Sequence, residues 1–145
     1  LPNWPGRLPA PVVLTPHPGE MAALTGLSTD QVQADREGLA SRSALDWGQV
    51  VVLKGAYTII AAPDGRTAMI PVATPALAHA GTGDVLAGLI VGLLAQGVPP
   101  YDAALGAAWI HARAGLAAAA AHGQTASVLA SDILSTLPAV LAALS

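Results

Sequence analysis

The chain has 145 residues, enough for one domain, of which 53% are apolar and only 10% charged, with a net charge of −3. Six Lys and Arg scattered along it exclude the basic stripe that neutralises a nucleic-acid backbone, and the lack of cysteine excludes disulfides and thiolate metal sites. So dry a composition belongs to a membrane or to a protein that covers much of its surface, because soluble monomers rarely expose large apolar patches.

The first residues, Leu1-Pro2-Asn3-Trp4-Pro5-Gly6, contain neither the basic nor the apolar segment of a secretory signal, so a reducing, cytoplasmic setting is expected. From Pro11 onward, short β-branched runs alternate with stretches whose apolar residues recur every three or four positions, the pattern of a layered α/β fold. Val12 to Thr15 reads as a short strand stopped by Pro16 and Pro18, and a helix over 19–25 stops at Gly26. Ser28 and Gln31 form a capping box, and Val32, Leu39 and Leu45 then predict one helix running to about Asp46. Val50 to Leu53 reads as a buried strand. Thr58 to Ala62 and Thr67 to Val72 predict a hairpin turning at Pro63-Asp64-Gly65-Arg66.

The remainder predicts three apolar helices over 83–96, 101–121 and about 132–144, the first central and buried and the last irregular or late-starting because of Pro138. Gly88 and Gly92, four apart, suit the close approach of a neighbouring element. Trp4, Trp47 and Trp109 are read as packing residues, and Tyr101-Asp102 as a helix start. The longest apolar runs, Val85 to Ala95 and Ala114 to Ala121, fall far short of the roughly 20 residues that span a bilayer, so no membrane span is expected.

Chemistry concentrates in three stretches. Gly81-Thr82-Gly83-Asp84 opens a helix, where unpaired N–H groups and the positive dipole end favour an anion and glycines admit it to the backbone. Asp84 beside that anion can take a proton from a hydroxyl attacking phosphorus; its plain structural reading is a helix cap. Thr15-Pro16-His17-Pro18-Gly19-Glu20 follows a strand, where ligands of open α/β sheets bind. There His17 can bond a phosphate or hydroxyl and Glu20 can serve magnesium through water, or both can simply begin a helix. Lys54-Gly55-Ala56-Tyr57-Thr58 also ends a strand, with a cation, room at the backbone and a hydroxyl, or else is an ordinary turn. His79, His111 and His122 have no metal-ligand spacing and are read as structural or surface residues.

In this order, Thr-Pro-His-Pro-Gly-Glu, then Leu-Lys-Gly-Ala-x-Thr, then Ala-Gly-Thr-Gly-Asp-Val-Leu-Ala-Gly resembles the NAD(P)H-hydrate dehydratases from about Val12 to the end. The resemblance implies an α/β, ribokinase-like layered sheet with helices on both faces, residues 1–145 being the C-terminal part of one carbohydrate-kinase-like domain. It implies that Asp84 is the catalytic base and contacts the hydrated NADH or NADPH together with His17. Lys54, Gly55, Ala56, Tyr57 and Thr58, with Gly81, Thr82 and Gly83, would surround ADP or ATP, and Glu20 would act indirectly on Mg2+. The implied reaction phosphorylates the C6 hydroxyl of the hydrated nicotinamide and expels phosphate. A homo-oligomer is also implied, as is an N-terminal half absent from this chain. Two other readings compete: a ribokinase-like kinase for a hydroxymethylpyrimidine or thiazole alcohol, and a nucleotide-binding fragment inactive without its N-terminal half. His17-Pro18-Gly19-Glu20 argues against the kinase, where Thr-Pro-Asn is usual.

Overall fold

The computed structural model describes residues 10–144, so the expectations for Leu1 to Gly6, Trp4 included, lie outside the described residues. Strands Val13–Leu14 (β1), Val50–Leu53 (β2), Ile59–Ala61 (β3) and Thr67–Met69 (β4) form one four-stranded sheet in chain order. β1 and β2 are parallel; the other neighbours are antiparallel. The helices are Pro18–Thr25 (α1), Thr29–Ala34 (α2), Arg36–Trp47 (α3), Thr82–Ala95 (α4), Pro100–His122 (α5) and Ala130–Ala142 (α6).

Alternation along β2 builds the layers. Val51 and Leu53 face Met21, Val32, Leu39, Ala40 and Ala44 of α1 to α3, while Val50 and Val52 face Leu86 and Ile90 of α4 and the alanines of α5. Helices therefore cover both faces of the sheet, as a mixed α/β fold requires. A third cluster, with Val85, Ala114, Val128 and Ile133, joins α4, α5 and α6. Alanine at 104, 107, 108 and 112 lets α5 lie close to the sheet, which accounts for much of the unusual composition.

Several elements differ from the sequence reading. The helix expected from Ser28 to Asp46 breaks at Asp35, whose backbone (φ −143°, ψ 60°) leaves the helical region. Its carboxylate accepts the Gly38 N–H at 3.1 Å and pairs with Arg42 at 2.9 Å, so it caps α3 rather than continuing α2. β1 is shorter than Val12 to Thr15, although the Val12 and Pro16 carbonyls still accept from Val50 and Lys54. A 3-10 turn at Pro75–Leu77 was not anticipated. α6 is not late-starting: Asp132 accepts the Leu129 N–H at 2.8 Å and secures the first turn before Pro138, which lies inside the helix.

Helix α4 is not buried all round. Val85, Leu86 and Ile90 pack inward, but Val91 is 63% exposed, and a Cβ added to Gly88 or Gly92 would meet nothing within 4 Å. The expected close approach to those glycines is absent from the described chain. Trp47 packs against the core as anticipated, whereas Trp109 is exposed. Among the described residues no helix is long and apolar enough to cross a membrane. Since Ile60 is fully buried and Val91 is not, Ile60→Ala should lower stability in urea unfolding by about 2–5 kcal/mol. Val91→Ala should stay within about 0.5 kcal/mol, and similar losses for both would contradict this packing.

Candidate functional site

The carboxyl ends of β1 and β2 and the first turn of α4 converge on a cavity of about 490 Å3. His17, Lys54, Gly55, Ala56 and Thr58 line it, opposite Gly81 to Asp84. All three stretches singled out in the sequence therefore meet in one place. Tyr57 and Glu20 are not among the lining residues. Tyr57 is exposed and holds a left-handed backbone (φ 54°) that turns the chain, while its N–H donates to the Val72 carbonyl.

At the start of α4, Gly81 takes the left-handed conformation (φ 85°), and no side chain caps the helix. The Thr82 hydroxyl lies 2.8 Å from the Leu77 carbonyl and 2.9 Å from that of His79, so it braces the loop and Thr82 offers the cavity only backbone. The Asp84 amide donates to Gly81, but among the described residues the Gly83 N–H has no partner. A free amide at the positive end of a 14-residue helix is a ready anion contact. A Cβ on Gly83 would stand 3.3 Å from the Lys54 ammonium, so glycine lets that cation reach the same spot. The Asp84 carboxylate, exposed on the cavity wall, makes no hydrogen bond or ion pair among the described residues. Its structural reading as a cap does not hold.

His17 and Glu20 form the N-terminal cap of α1. The His17 N–H donates to Glu20 Oε2 at 2.6 Å and the Glu20 N–H donates to His17 Nδ1 at 3.1 Å. Glu20 Oε2 also lies 3.6 Å from Lys54 Nζ. Partial burial raises the Glu20 pKa, but the His17 backbone and the Lys54 charge outweigh it and leave the carboxyl below its ordinary value. Glu20 is thus ionised and ties α1 to the Lys54 turn. No group of three or more His, Asp or Glu able to hold a metal occurs among the described residues. Glu20 is a single carboxylate already engaged by His17 and Lys54, so a cation here would rest mainly on phosphates and water.

Three residues at the site escaped the sequence reading. The Arg36 guanidinium donates to the Leu53 and Lys54 carbonyls at 3.1 and 3.3 Å and lies against Gly55, so it holds the turn that carries Lys54. Its pairing across 17 and 18 residues leaves no local signal in the sequence. His79 and His111 both line the cavity. His111 is 7% exposed, and its Nε2 has no hydrogen-bond partner among the described residues. Its signal was present: it adjoins Ala108 and Ala112 on the buried face of α5.

Burial pushes the His111 pKa down to about 4, with the Thr82 backbone opposing the shift and the Lys54 charge adding to it. An unfolded histidine titrates near 6.5, so between these values the folded chain binds fewer protons and its stability rises with pH. That contribution, on the order of 3 kcal/mol, is present above about pH 6.5 and is lost as pH falls towards 4. Urea unfolding from pH 7 to 4.5 should show a steeper loss for the parent than for His111→Gln; parallel curves would refute the assignment.

The family model described as NAD(P)H-hydrate dehydratase, of the carbohydrate-kinase type, matches residues 6–139. The chain is 49% identical to the bifunctional NAD(P)H-hydrate repair enzyme Nnr of Moorella thermoacetica, over 90% of this chain and 24% of that protein. It is 43% identical to the ADP-dependent (S)-NAD(P)H-hydrate dehydratase of Neisseria meningitidis, over 84% of this chain and 41% of that one. The ADP/ATP-dependent NAD(P)H-hydrate dehydratase from Bacillus subtilis, co-crystallised with ATP/Mg2+, superposes with a TM-score of 0.89 and 35% identity. That superposition covers 96% of this chain and 51% of the other. A ribokinase-like superfamily protein from Enterococcus faecalis matches with a TM-score of 0.71 and 31% identity, over 92% of this chain and 45% of the other. The chain therefore spans about a quarter to two-fifths of these two curated relatives and about half of the solved structures. With this fold, this cavity and a family match over nearly its whole length, the chain belongs to the NAD(P)H-hydrate dehydratase family, of ribokinase-like fold.

Proposed function

We propose that residues 1–145 form the C-terminal part of one carbohydrate-kinase-like domain that dehydrates hydrated NADH and NADPH at the expense of ADP or ATP. The observation that carries this reading is the Asp84 carboxylate. It caps nothing, lines the cavity, and stands one residue from a free amide against which Lys54 is packed. The names of the relatives supply the substrate class, and their ADP or ATP dependence supplies the phosphoryl donor.

In this reading Asp84 takes the proton of the C6 hydroxyl as its oxygen attacks the terminal phosphorus of the nucleotide. The bond from that phosphorus to the bridging oxygen breaks, and the shortened nucleotide leaves with its electron pair. Charge building on the transferring group falls on the Gly83 amide and the Lys54 ammonium, both already in place and needing no reorganisation. Phosphate then departs from C6 with the C–O electron pair, and loss of a proton from the adjoining carbon restores the dihydronicotinamide. Hydroxide is a poor leaving group and phosphate a good one, which is the physical reason for using a nucleotide. Mg2+ would sit on the nucleotide phosphates, with Glu20 reaching it through water, and would neutralise phosphate charge. His17, exposed on the α1 side of the cavity, lies where it can bond the hydrated ring. The setting proposed is cytoplasmic.

The test is recovery of NADH near-ultraviolet absorbance from hydrated NADH with Mg2+ and ADP or ATP in turn, using this chain alone and within its full-length protein. Recovery in either form supports the dehydratase; recovery only in full length makes this chain a dependent part. Phosphorylation of a hydroxymethylpyrimidine without cofactor repair would replace the reading with a kinase. In the active form, Asp84→Asn should lower kcat by on the order of a hundredfold or more, and near-normal turnover would remove Asp84 as the base.

A further inference from the structure

One end of the cavity takes no part in the phosphoryl chemistry. β1, β2 and β4 run in the same direction, so the loops carrying His17, Lys54 and Val72 all leave one edge of the sheet. Neighbouring strands lie about 4.8 Å apart, which stretches the cavity over roughly 14 Å from His17 past Lys54 to Val72. Lys54 and Gly83 fix the anion contact between these ends. The β4 end is walled by Ile70, Val72, Leu77, Ala108 and Ala112. Apolar walls with a few placed polar groups suit a flat ring and not a phosphate.

Thr74, His79 and His111 carry the polar side chains at that end. Thr74 Oγ1 already accepts the Ala76 amide at 3.3 Å, and His111 is enclosed to 7% exposure. His79 is half-buried, and its Nδ1 lies 3.4 Å from the Ala76 carbonyl. A carbonyl only accepts, so the neutral ring keeps its hydrogen on Nδ1 and leaves Nε2, on the far edge of the ring, as an acceptor. No partner for that nitrogen occurs among the described residues. The His79 carbonyl also accepts the Thr82 hydroxyl at 2.9 Å, so both ring and backbone are held before a ligand arrives.

We propose that His79 selects the base of the nucleotide, its Nε2 accepting a hydrogen bond from the exocyclic amine of a purine seated at the β4 end. This rests on the nucleotide-dependent reaction proposed above. An amino-purine brings a donor to the ring, whereas an oxo-purine brings an oxygen lone pair to the same place. The imidazole can answer that oxygen only by moving its hydrogen to Nε2, which sets the bare Nδ1 against the Ala76 carbonyl oxygen. Discrimination therefore has a repulsive part as well as an attractive one. The loop from His79 to Gly83 then reads both parts of the nucleotide, the base at one end and the phosphate at the other.

Calorimetric titration with ADP and with IDP, both with Mg2+, tests this without turnover, on this chain and on its full-length protein. The parent should bind ADP more tightly than IDP by on the order of tenfold. His79→Ala and His79→Leu should weaken ADP and leave IDP nearly unchanged, bringing the two within about twofold; retained IDP binding shows that the fold and the phosphate contacts survive. Equal affinities in the parent, or a preference for ADP that both variants keep, would overturn the proposal. So would loss of both nucleotides together in the variants, because His79 would then serve the loop and not the base. A parent that binds neither nucleotide in either form would instead overturn the nucleotide-dependent reaction itself, and the selection with it.

Discussion

The approach of the Lys54 ammonium to the backbone of Gly83 is the contact on which the site depends. It sets the end of β2 against the start of α4 although the two are far apart in the chain, and glycine at 83 leaves the ammonium room that a Cβ 3.3 Å away would narrow. The neighbours of this pair hold it from outside. Arg36 fixes the carbonyls on either side of the turn, Glu20 draws the ammonium from the α1 side, and Thr82 braces the loop below through Leu77 and His79. A cation, a free amide and a bare carboxylate then face one space, and each group is held by bonds that do not consume what it offers.

The same arrangement explains which polar groups are engaged and which are left open. The hydroxyls of Thr58 and Thr82 are spent on local carbonyls, and His17 Nδ1 and Glu20 Oε2 on a helix cap. Asp84 and the Gly83 amide are left open at a helix terminus whose dipole favours the negative group they would serve. The buried His111 imidazole is the costlier exception: kept neutral below the loop, it adds no second positive charge beside Lys54.

Composition takes on a definite meaning in this fold. Alanines on α5 bring helix and sheet together on one face of β2, and the face of α4 bearing Gly88, Val91 and Gly92 is left without a neighbour in the described chain. In a chain spanning about half the length of its solved relatives, part of the apolar excess is core and part is surface.

Read alone, the sequence determined what local rules decide. Alternating periods marked the layers, glycines 26, 65 and 81 punctuated the elements, and three motifs named most of the residues that meet in the cavity, because each motif ends a strand or begins a helix. Only tertiary structure decided the rest. Nothing local distinguishes the outward face of α4 from the inward one when both are apolar, or a tryptophan that packs from one that projects. Nor does the chain near Arg36 or His111 reveal that one grips a turn 17 residues on and the other loses its charge inside α5. Those outcomes depend on which distant atoms exclude water from a group or bond to it, and that is settled only when the layers close.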